Sequence, residues 1–182
     1  MTATRPRTRY ASLSIFLHWA MLLLIIGVYS CILLHESFPR GSDMRADLKT
    51  WHFMLGLSVL ALVIIRIVTR LFTTKPPIKP EPPAWQMLLA KVTHLSLYAF
   101  MLAMPILGWL ILSSADATIP FYGLELPALV APDEALAEQI EEVHETIGTI
   151  GYFLIGLHAL AALFHHYVVK DNTLRRMLPG KR

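Results

Sequence analysis

The most regular feature of the chain is the gathering of its apolar residues into four long blocks, separated by polar connections. Each block is close to the roughly 20 apolar residues that an α-helix needs to cross the hydrocarbon core of a membrane. The pattern therefore predicts an all-α membrane protein, a four-transmembrane-helix bundle in which residues 1–182 form a single integral membrane domain. The predicted spans are residues 15–34, 51–72, 92–113 and 146–169.

The connections between these blocks differ in what they can form. The segment 75–83 has five prolines, which exclude a helix and predict a short, stiff, extended connector. The longest connection, about residues 114–143, contains Pro132, Asp133 and Glu134 in a row, which is typical of a helix start. We therefore expect the fourth helix to begin near Asp133 and to project beyond the membrane.

The composition supports a membrane protein and excludes several kinds of site and partner. Only 16% of the residues are charged, against about 25% in a soluble domain. Cys31 is the single cysteine, so this chain cannot build an intrachain disulfide or a cysteine-ligated iron–sulfur cluster. The net charge of +3 comes from basic flanks that meet anionic membrane lipid, and no nucleic-acid partner is expected.

The distribution of lysine and arginine predicts the orientation of the bundle. The two terminal tails and the connection between the second and third blocks hold 13 of the 16 basic residues. Because short basic segments stay in the cytoplasm, both termini are expected to be cytoplasmic. The other three bases, Arg40, Arg45 and Lys49, lie in the first outer connection.

Histidines within the apolar blocks are the strongest chemical signal, because ionisable residues inside a membrane are costly and mark functional sites. His144 and His158 lie fourteen residues apart in the fourth block, which is about 21 Å and close to four turns of helix. Both imidazoles therefore share one face, near opposite sides of a membrane core about 30 Å thick. This spacing indicates two stacked cofactor sites and electron transfer across the membrane.

Depth along the predicted helices pairs these histidines with two others. His52 begins the second block on the outer side, at the depth of His144. His18 lies near the cytoplasmic start of the first block, at the depth of His158. Histidine pairs dispersed in this way fit two haem groups, each with two axial histidines, better than a zinc site with four clustered ligands.

Two alternatives to this pairing stay open. His35, at the outer end of the first block, could replace His52 or His144 as a ligand. His94 opens the third block from the inner side and has the right depth to replace His18.

Other residues near these positions fit haem. Glycine leaves clearance for a flat ring; Gly56 and Gly148 each lie one turn inward from a predicted ligand, and Gly151 lies two turns before His158. Close helix packing is the alternative role of such glycines. Arg66 shares the depth of His158, so it could pair with haem propionates or extend its charge to the membrane surface.

Three stretches of the sequence carry a family resemblance. They are Ser14-Ile-Phe-Leu-His18-Trp19, Trp51-His52 with Gly56, and the block from Val143-His144-Glu-Thr through His158-Ala to His165-His166-Tyr and Lys170-Asp-Asn-Thr-Leu. Together they resemble the prokaryotic cytochrome b561 family over nearly the whole chain. The resemblance implies a multi-pass protein of the bacterial inner (plasma) membrane with two haem b groups. It implies as axial ligands of the haem iron His18, His52, His144 and His158.

The activity that the resemblance implies is that of a superoxide:ubiquinone oxidoreductase. Superoxide outside the membrane would give an electron to the outer haem and leave as oxygen, while ubiquinone at the cytoplasmic side would collect two electrons and two protons. Arg40, Arg45 and Lys49 could steer the superoxide anion, or they could be ordinary surface charge. His165, seven residues beyond His158, could hydrogen-bond the quinone, or it could be an interfacial histidine solvated by head groups.

Two other functions remain compatible with the sequence. In an electron-relay subunit, electrons from a periplasmic dehydrogenase or hydrogenase would pass to quinone, and the acidic second outer connection would be the docking surface. A membrane scaffold without redox chemistry would leave the depth-matched histidines unexplained. Activity of the chain alone with superoxide favours the oxidase, a partner that co-purifies favours the relay, and a colourless protein favours the scaffold.

Overall fold

The computed structural model describes residues 8–180 and confirms the four-helix prediction. All four helices are long and apolar enough to cross a membrane, and each predicted span falls within a helical segment that extends beyond it or ends within a residue of it. The helices are α1 (Ser12–His35), α2 (Asp43–Leu71), α3 (Ala84–Ser114) and α4 (Glu134–Phe164), the last followed directly by a five-residue π-helix (His165–Val169).

The predicted starts and breaks of the helices also agree with the structure. Asp133 caps α4, since its carboxylate accepts the backbone N–H of Leu136 at 3.0 Å, as helix N-caps do. Helix α4 therefore begins where the sequence predicted. The proline-rich connector at 75–83 contains no helix, and α3 begins directly after Pro83.

Helix packing leaves α4 apart from the first half of the bundle. Helix α1 packs along α2, α2 along α3 and α3 along α4, whereas within residues 8–180 the backbone of α4 has no extensive contact with α1 or α2. A small apolar core joins the first three helices, with Met21, Val59, Val63 and Met101 at its centre. The space between α4 and the α1–α2 pair is bridged by side chains, and these include the predicted ligands.

A short hairpin on the outer connection was missed at the level of the sequence. Strands β1 (Pro120–Phe121) and β2 (Leu124–Glu125) pair antiparallel around a turn in which Tyr122 and Gly123 both have positive φ, 49° and 85°. Such turns twist with the strands they join and favour glycine. The Tyr122 hydroxyl lies 2.9 Å from the Ser58 hydroxyl, which fastens the hairpin to α2.

The C-terminal segment 170–180, here called the C-terminal clasp, folds back across the end of the bundle that is predicted to be cytoplasmic and is called the inner end. The indole of Trp19 on α1 donates to the carbonyl of Met177 at 2.8 Å. The backbone N–H of Lys79 in the proline-rich connector donates to the Asn172 side chain at 2.9 Å. The buried guanidinium of Arg176 donates to the carbonyl of Pro76. The clasp thus joins the start of α1 to the connector between α2 and α3.

Replacing Arg176 by alanine is expected to loosen the clasp. The carbonyl of Pro76 would lose a charge-assisted partner, and the loss of such a bond costs about 1.5–3 kcal/mol. Limited proteolysis and a melting curve measure the effect, with faster cleavage after Val169 and a lower Tm expected. The neighbouring Arg175 is exposed, so Arg175→Ala is the matched control; equal losses in both variants would contradict a specific role for the Arg176 bond.

Candidate functional site

The structure brings the predicted ligand histidines together in two pairs. The ring centres of His18 and His158 lie 6.2 Å apart with an interplanar angle of 71°. Those of His52 and His144 lie 6.2 Å apart at 72°. Each pair crosses the open side of the bundle, from α1 to α4 at one level and from α2 to α4 at the other. The two sites therefore have nearly the same geometry at two depths.

The spacing within each pair suits two imidazoles that share one metal ion. A metal–nitrogen bond is about 2 Å long and the centre of the ring lies about 1 Å beyond the nitrogen, so the two ring centres would be about 6 Å apart. Two nitrogen ligands per site leave room for a metal whose other ligands come from a planar macrocycle. No cluster of three or more histidine, cysteine or carboxylate side chains suited to a bare metal ion occurs within residues 8–180.

His94 is the third histidine at the inner site. Its ring centre is 5.5 Å from that of His158, so the alternative ligand stays close enough to compete with His18. Two differences set it apart: its spacing does not match that of the outer pair, and its side chain is exposed whereas His18 is half-buried. His35 is absent from both pairs and lies instead against Glu36, with Nδ1 and a carboxylate oxygen 3.1 Å apart.

Neighbouring groups orient the two histidines of the outer pair differently. Nδ1 of His52 donates to the carbonyl of Val28 at 3.0 Å, which leaves Nε2 without a proton and free to bind a metal. Nδ1 of His144 is buried near the backbone of Met104 but makes no hydrogen bond of ordinary geometry. At this level His52 alone is thus held from α1, with Nε2 turned to the role that the predicted ligand needs.

Arg66 is the cation of the inner site. Its guanidinium donates to Nδ1 of His18 at 3.1 Å and to the Tyr98 hydroxyl at 3.3 Å. The remaining nitrogen, Nη1, is buried without a partner, although a buried guanidinium N–H is costly to leave unpaired. An anionic group at this level would supply the missing acceptor, which agrees with the predicted propionate contact.

The glycines near the pairs play separate roles. A side chain built at Gly56 would meet nothing within 4 Å, and one at Gly148 would be in ordinary contact with Met104 at 3.5 Å. Both positions leave room beside a predicted ligand histidine. Gly108 of α3, which the sequence analysis overlooked, belongs with them, because its missing side chain would lie 3.6 Å from the His144 ring.

The prediction that Gly151 leaves clearance for a haem ring is wrong. This residue lies seven positions from both His144 and His158, and its space is already filled by the Tyr29 hydroxyl and the Phe100 ring. Tyr29 also donates to the carbonyl of Gly148 at 2.7 Å. Gly151 therefore admits an aromatic layer between the two levels, and close packing is the role that fits it.

A basic cavity lies next to the N-terminus of α2, at the end of the bundle that is predicted to face outward and is called the outer side. It has a volume of about 450 Å³, and it is lined by Arg40, Asp43, Arg45 and Lys49 together with His35. Arg45 is occupied in holding the connection, since it donates to the carbonyls of His35 and Phe38 and pairs with the Glu36 carboxylate. Arg40 and Lys49 have no ion pair among residues 8–180, so their charges are available to an anion.

His165 has a partner that the sequence analysis did not identify. Its Nδ1 donates to a carboxylate oxygen of Asp171 at 2.6 Å. Burial alone would raise the pKa of Asp171, but hydrogen bonds from the Thr173 backbone and from His165 outweigh it, so the pKa lies below its usual value. Asp171 is therefore a buried carboxylate at neutral pH. This contact joins the first residue of the π-helix to a residue beyond its end, so the helix periodicity of the sequence does not predict it.

Comparisons with known proteins show the family of the chain. A family model described as "Prokaryotic cytochrome b561" matches residues 9–180. "Cytochrome b561 homolog 1" of Escherichia coli (strain K12) is 38% identical over 174 residues, which cover 96% of this chain and 99% of the relative. "Probable superoxide oxidase CybB" of Yersinia pestis is 40% identical over 174 residues, 96% of this chain and 98% of the relative. "Cytochrome b561 homolog 2" of Escherichia coli (strain K12) is 27% identical over 179 residues, 98% and 95% of the two chains.

Four membrane-length helices with histidine pairs across the open side of the bundle define a membrane-embedded cytochrome b that transfers electrons. The family match covers almost all of the described residues. The chain belongs to the prokaryotic cytochrome b561 family, and it is accordingly a multi-pass bacterial membrane protein of a family that binds b-type haem.

Proposed function

We propose that this protein is a di-haem cytochrome b of the inner membrane that oxidises periplasmic superoxide to oxygen and reduces ubiquinone. The observation that carries the proposal is the pair of matched histidine sites, both with ring centres 6.2 Å apart, at two depths of one helix. Both termini are placed in the cytoplasm, as the positive-inside rule favours. The similarity to a protein named as a superoxide oxidase supports the choice of substrate.

The residues present fit two haem groups. His52 and His144 would hold the outer group, and His18 and His158 the inner one, with Gly56 and Gly148 leaving room beside the ligands. When bound, haem supplies reversible one-electron transfer at its iron. Matched spacing and half-burial favour His18 over His94 at the inner site.

Arg66 would act as a switchable donor at the inner site. Arginine only donates, so while its guanidinium bonds Nδ1 of His18, the neutral imidazole keeps its proton on Nε2. A metal ligand nitrogen must be free of its proton. Binding through Nε2 of His18 therefore requires Arg66 to leave Nδ1, which would free a second N–H for an anionic propionate in addition to the unpartnered Nη1.

Electron entry is assigned to the outer side and exit to the inner side. Superoxide is a small anion, and Arg40 and Lys49 offer unpaired positive charge in a cavity at the start of α2. Each superoxide loses one electron and becomes oxygen. Two such electrons and two protons convert ubiquinone to ubiquinol at the cytoplasmic rim, where His165 would hydrogen-bond the quinone head group.

The second candidate function is an electron relay between a periplasmic dehydrogenase or hydrogenase and quinone. One observation favours it: the outer part of α4 presents a row of exposed carboxylates that could dock a basic partner. These residues are Glu134, Glu138, Glu141, Glu142 and Glu145. A partner that co-purifies through this surface would establish the relay.

Single histidine variants are expected to separate the two haem sites. His52→Ala or His144→Ala should reduce the haem content from two per chain to one and keep the inner haem, because the inner pair shares no side chain with the outer one. His18→Ala should remove only the inner haem. The pyridine haemochrome assay gives the stoichiometry, and redox titration identifies which haem is left.

His94→Ala is the matched control for His18→Ala, since both rings lie beside His158. It should retain both haems. Loss of the inner haem in His94→Ala together with its retention in His18→Ala would reverse the assignment of the ligand, and two haems in every variant would contradict the pairing.

The proposed activity is tested by rapid mixing of the purified protein with superoxide. Fast reduction of haem in the absence of quinone, and formation of ubiquinol when ubiquinone is added, are the expected results. A protein that dithionite reduces but superoxide does not would overturn the oxidase and favour the relay.

Charge reversal at the outer cavity is expected to slow the reaction with superoxide. The double variant Arg40→Glu, Lys49→Glu should lower the second-order rate about tenfold or more at low salt, since electrostatic steering changes on-rates by roughly 10–10³. Its rate should also lose the decrease with ionic strength that the unmodified protein shows. Lys91→Glu, Lys75→Glu at the opposite end is the control of equal net charge, and an equal effect there would refute local steering.

A further inference from the structure

The inner end of the bundle contains one histidine–carboxylate pair outside the proposed ligands. Nδ1 of His165, the first residue of the π-helix, donates to Oδ2 of Asp171 at 2.6 Å. The Asp171 side chain is 0% exposed and that of His165 is 18% exposed. A buried carboxylate thus holds one ring nitrogen of a histidine that is still partly accessible.

This contact fixes the chemical state of the ring. A carboxylate accepts and cannot donate, so the proton of neutral His165 is placed on Nδ1, and Nε2 is left to take up and release protons. The geometry points to Asp171 as a positioning residue that holds His165 as the proton donor to quinone at the inner end of the bundle, an inference that rests on the proposed function.

The place of the pair along α4 supports this role. His165 follows His158 by seven residues, which corresponds to about 10 Å and two turns on one face. A molecule that contacts His165 on this face therefore lies directly beyond the inner histidine pair. Electrons and protons would meet at the same end of the bundle.

The two oxygens of Asp171 have different partners. Oδ1 accepts the backbone N–H of Thr173 at 2.7 Å, which shapes the first turn of the C-terminal clasp. Oδ2 is bound to His165. Among residues 8–180 the only ion pair of this carboxylate is the one with His165. The structural contact and the contact with the ring can therefore be separated by substitution.

The proton transfer balances with the proposed reaction. Two electrons, from two superoxide anions, reach the quinone through the protein. One carbonyl oxygen takes a proton from Nε2 of the His165 imidazolium, so that an O–H bond forms and the N–H bond breaks. Cytoplasmic water supplies the proton for the second carbonyl and then reprotonates His165, which leaves quinol and the starting state of the pair.

Asp171→Asn is the variant that isolates the contact with the ring. Its Oδ1 can still accept the Thr173 N–H, whereas its amide nitrogen donates and cannot accept from Nδ1 of His165. Asn172→Ala is the matched control, because it removes the side-chain contacts of the clasp to Pro77 and Lys79 and leaves the pair intact. Asp171→Glu tests rescue by a second carboxylate.

The experiment follows the reoxidation of stoichiometrically reduced holoprotein by ubiquinone-1, without superoxide. Asp171→Asn is expected to lower the limiting rate of reoxidation by about 10²-fold, the usual range for a lost proton donor. The quinone concentration that gives half of the limiting rate should stay within twofold of the unmodified protein, and both haem potentials should be unchanged. Asn172→Ala should keep the limiting rate within twofold of the unmodified protein, and Asp171→Glu should recover part of the loss.

The outcomes separate this inference from the proposed function. If the unmodified protein reduces quinone and Asp171→Asn does so at the same rate, or if Asn172→Ala loses as much as Asp171→Asn, the role of Asp171 is overturned and the proposed function stands. If the unmodified protein reduces no quinone, both are overturned. Failure with superoxide alone removes the proposed electron donor and leaves the quinone assay, and so the inference, unaffected.

Discussion

The structure depends on one constraint: a single helix presents two imidazoles to the same side, and a membrane core gives them no water. Ionisable groups in that setting need partners, and α4 meets its partners across the side of the bundle where helix backbones are not in close contact. His18 and His52 extend from α1 and α2 to His158 and His144 with the same ring spacing of 6.2 Å. The open side of the bundle and its paired histidines therefore belong together. Where the helix backbones do not pack closely, the paired imidazoles bridge them.

Between the levels of the two histidine pairs, in contrast, side chains pack closely against α4. Gly151 lies midway between His144 and His158, and Tyr29 and Phe100 occupy the space that its missing side chain leaves. The Tyr29 hydroxyl also donates to the carbonyl of Gly148 in this layer, which ties α1 to α4 between the two levels. Along this face of α4, the two histidine levels are thus open and the position of Gly151 between them is filled. This layer keeps the two sites separate.

Which features could be predicted from the sequence depends on how far apart along the chain the interacting residues lie. The four helices, the start of α4 at Asp133 and the level of each histidine depend on hydrophobic length, helix period and capping, all of which are local. The clasp and the attachment of the hairpin at Pro120–Glu125 depend on contacts between distant segments, such as Arg176 with Pro76 and Trp19 with Met177, which is 158 residues away. The His165–Asp171 pair is only six residues apart, but it lies across the end of a helix, where helix period gives no guide. Gly151 shows the limit most clearly, because a glycine on the ligand face signals missing volume but not what fills it.

The electrostatics of the outer side are decided locally. The carboxylates on the outer part of α4 are exposed, so water and salt screen them over roughly 8 Å. Arg40 and Lys49 are exposed too, but they line one cavity, so their charges act at close range on an anion that enters it. Arg45 does not add to that field, because Glu36 and two carbonyls already engage it. A net acidic outer side and a cavity that attracts a small anion are therefore compatible, since the anion responds to the nearest unpaired charges.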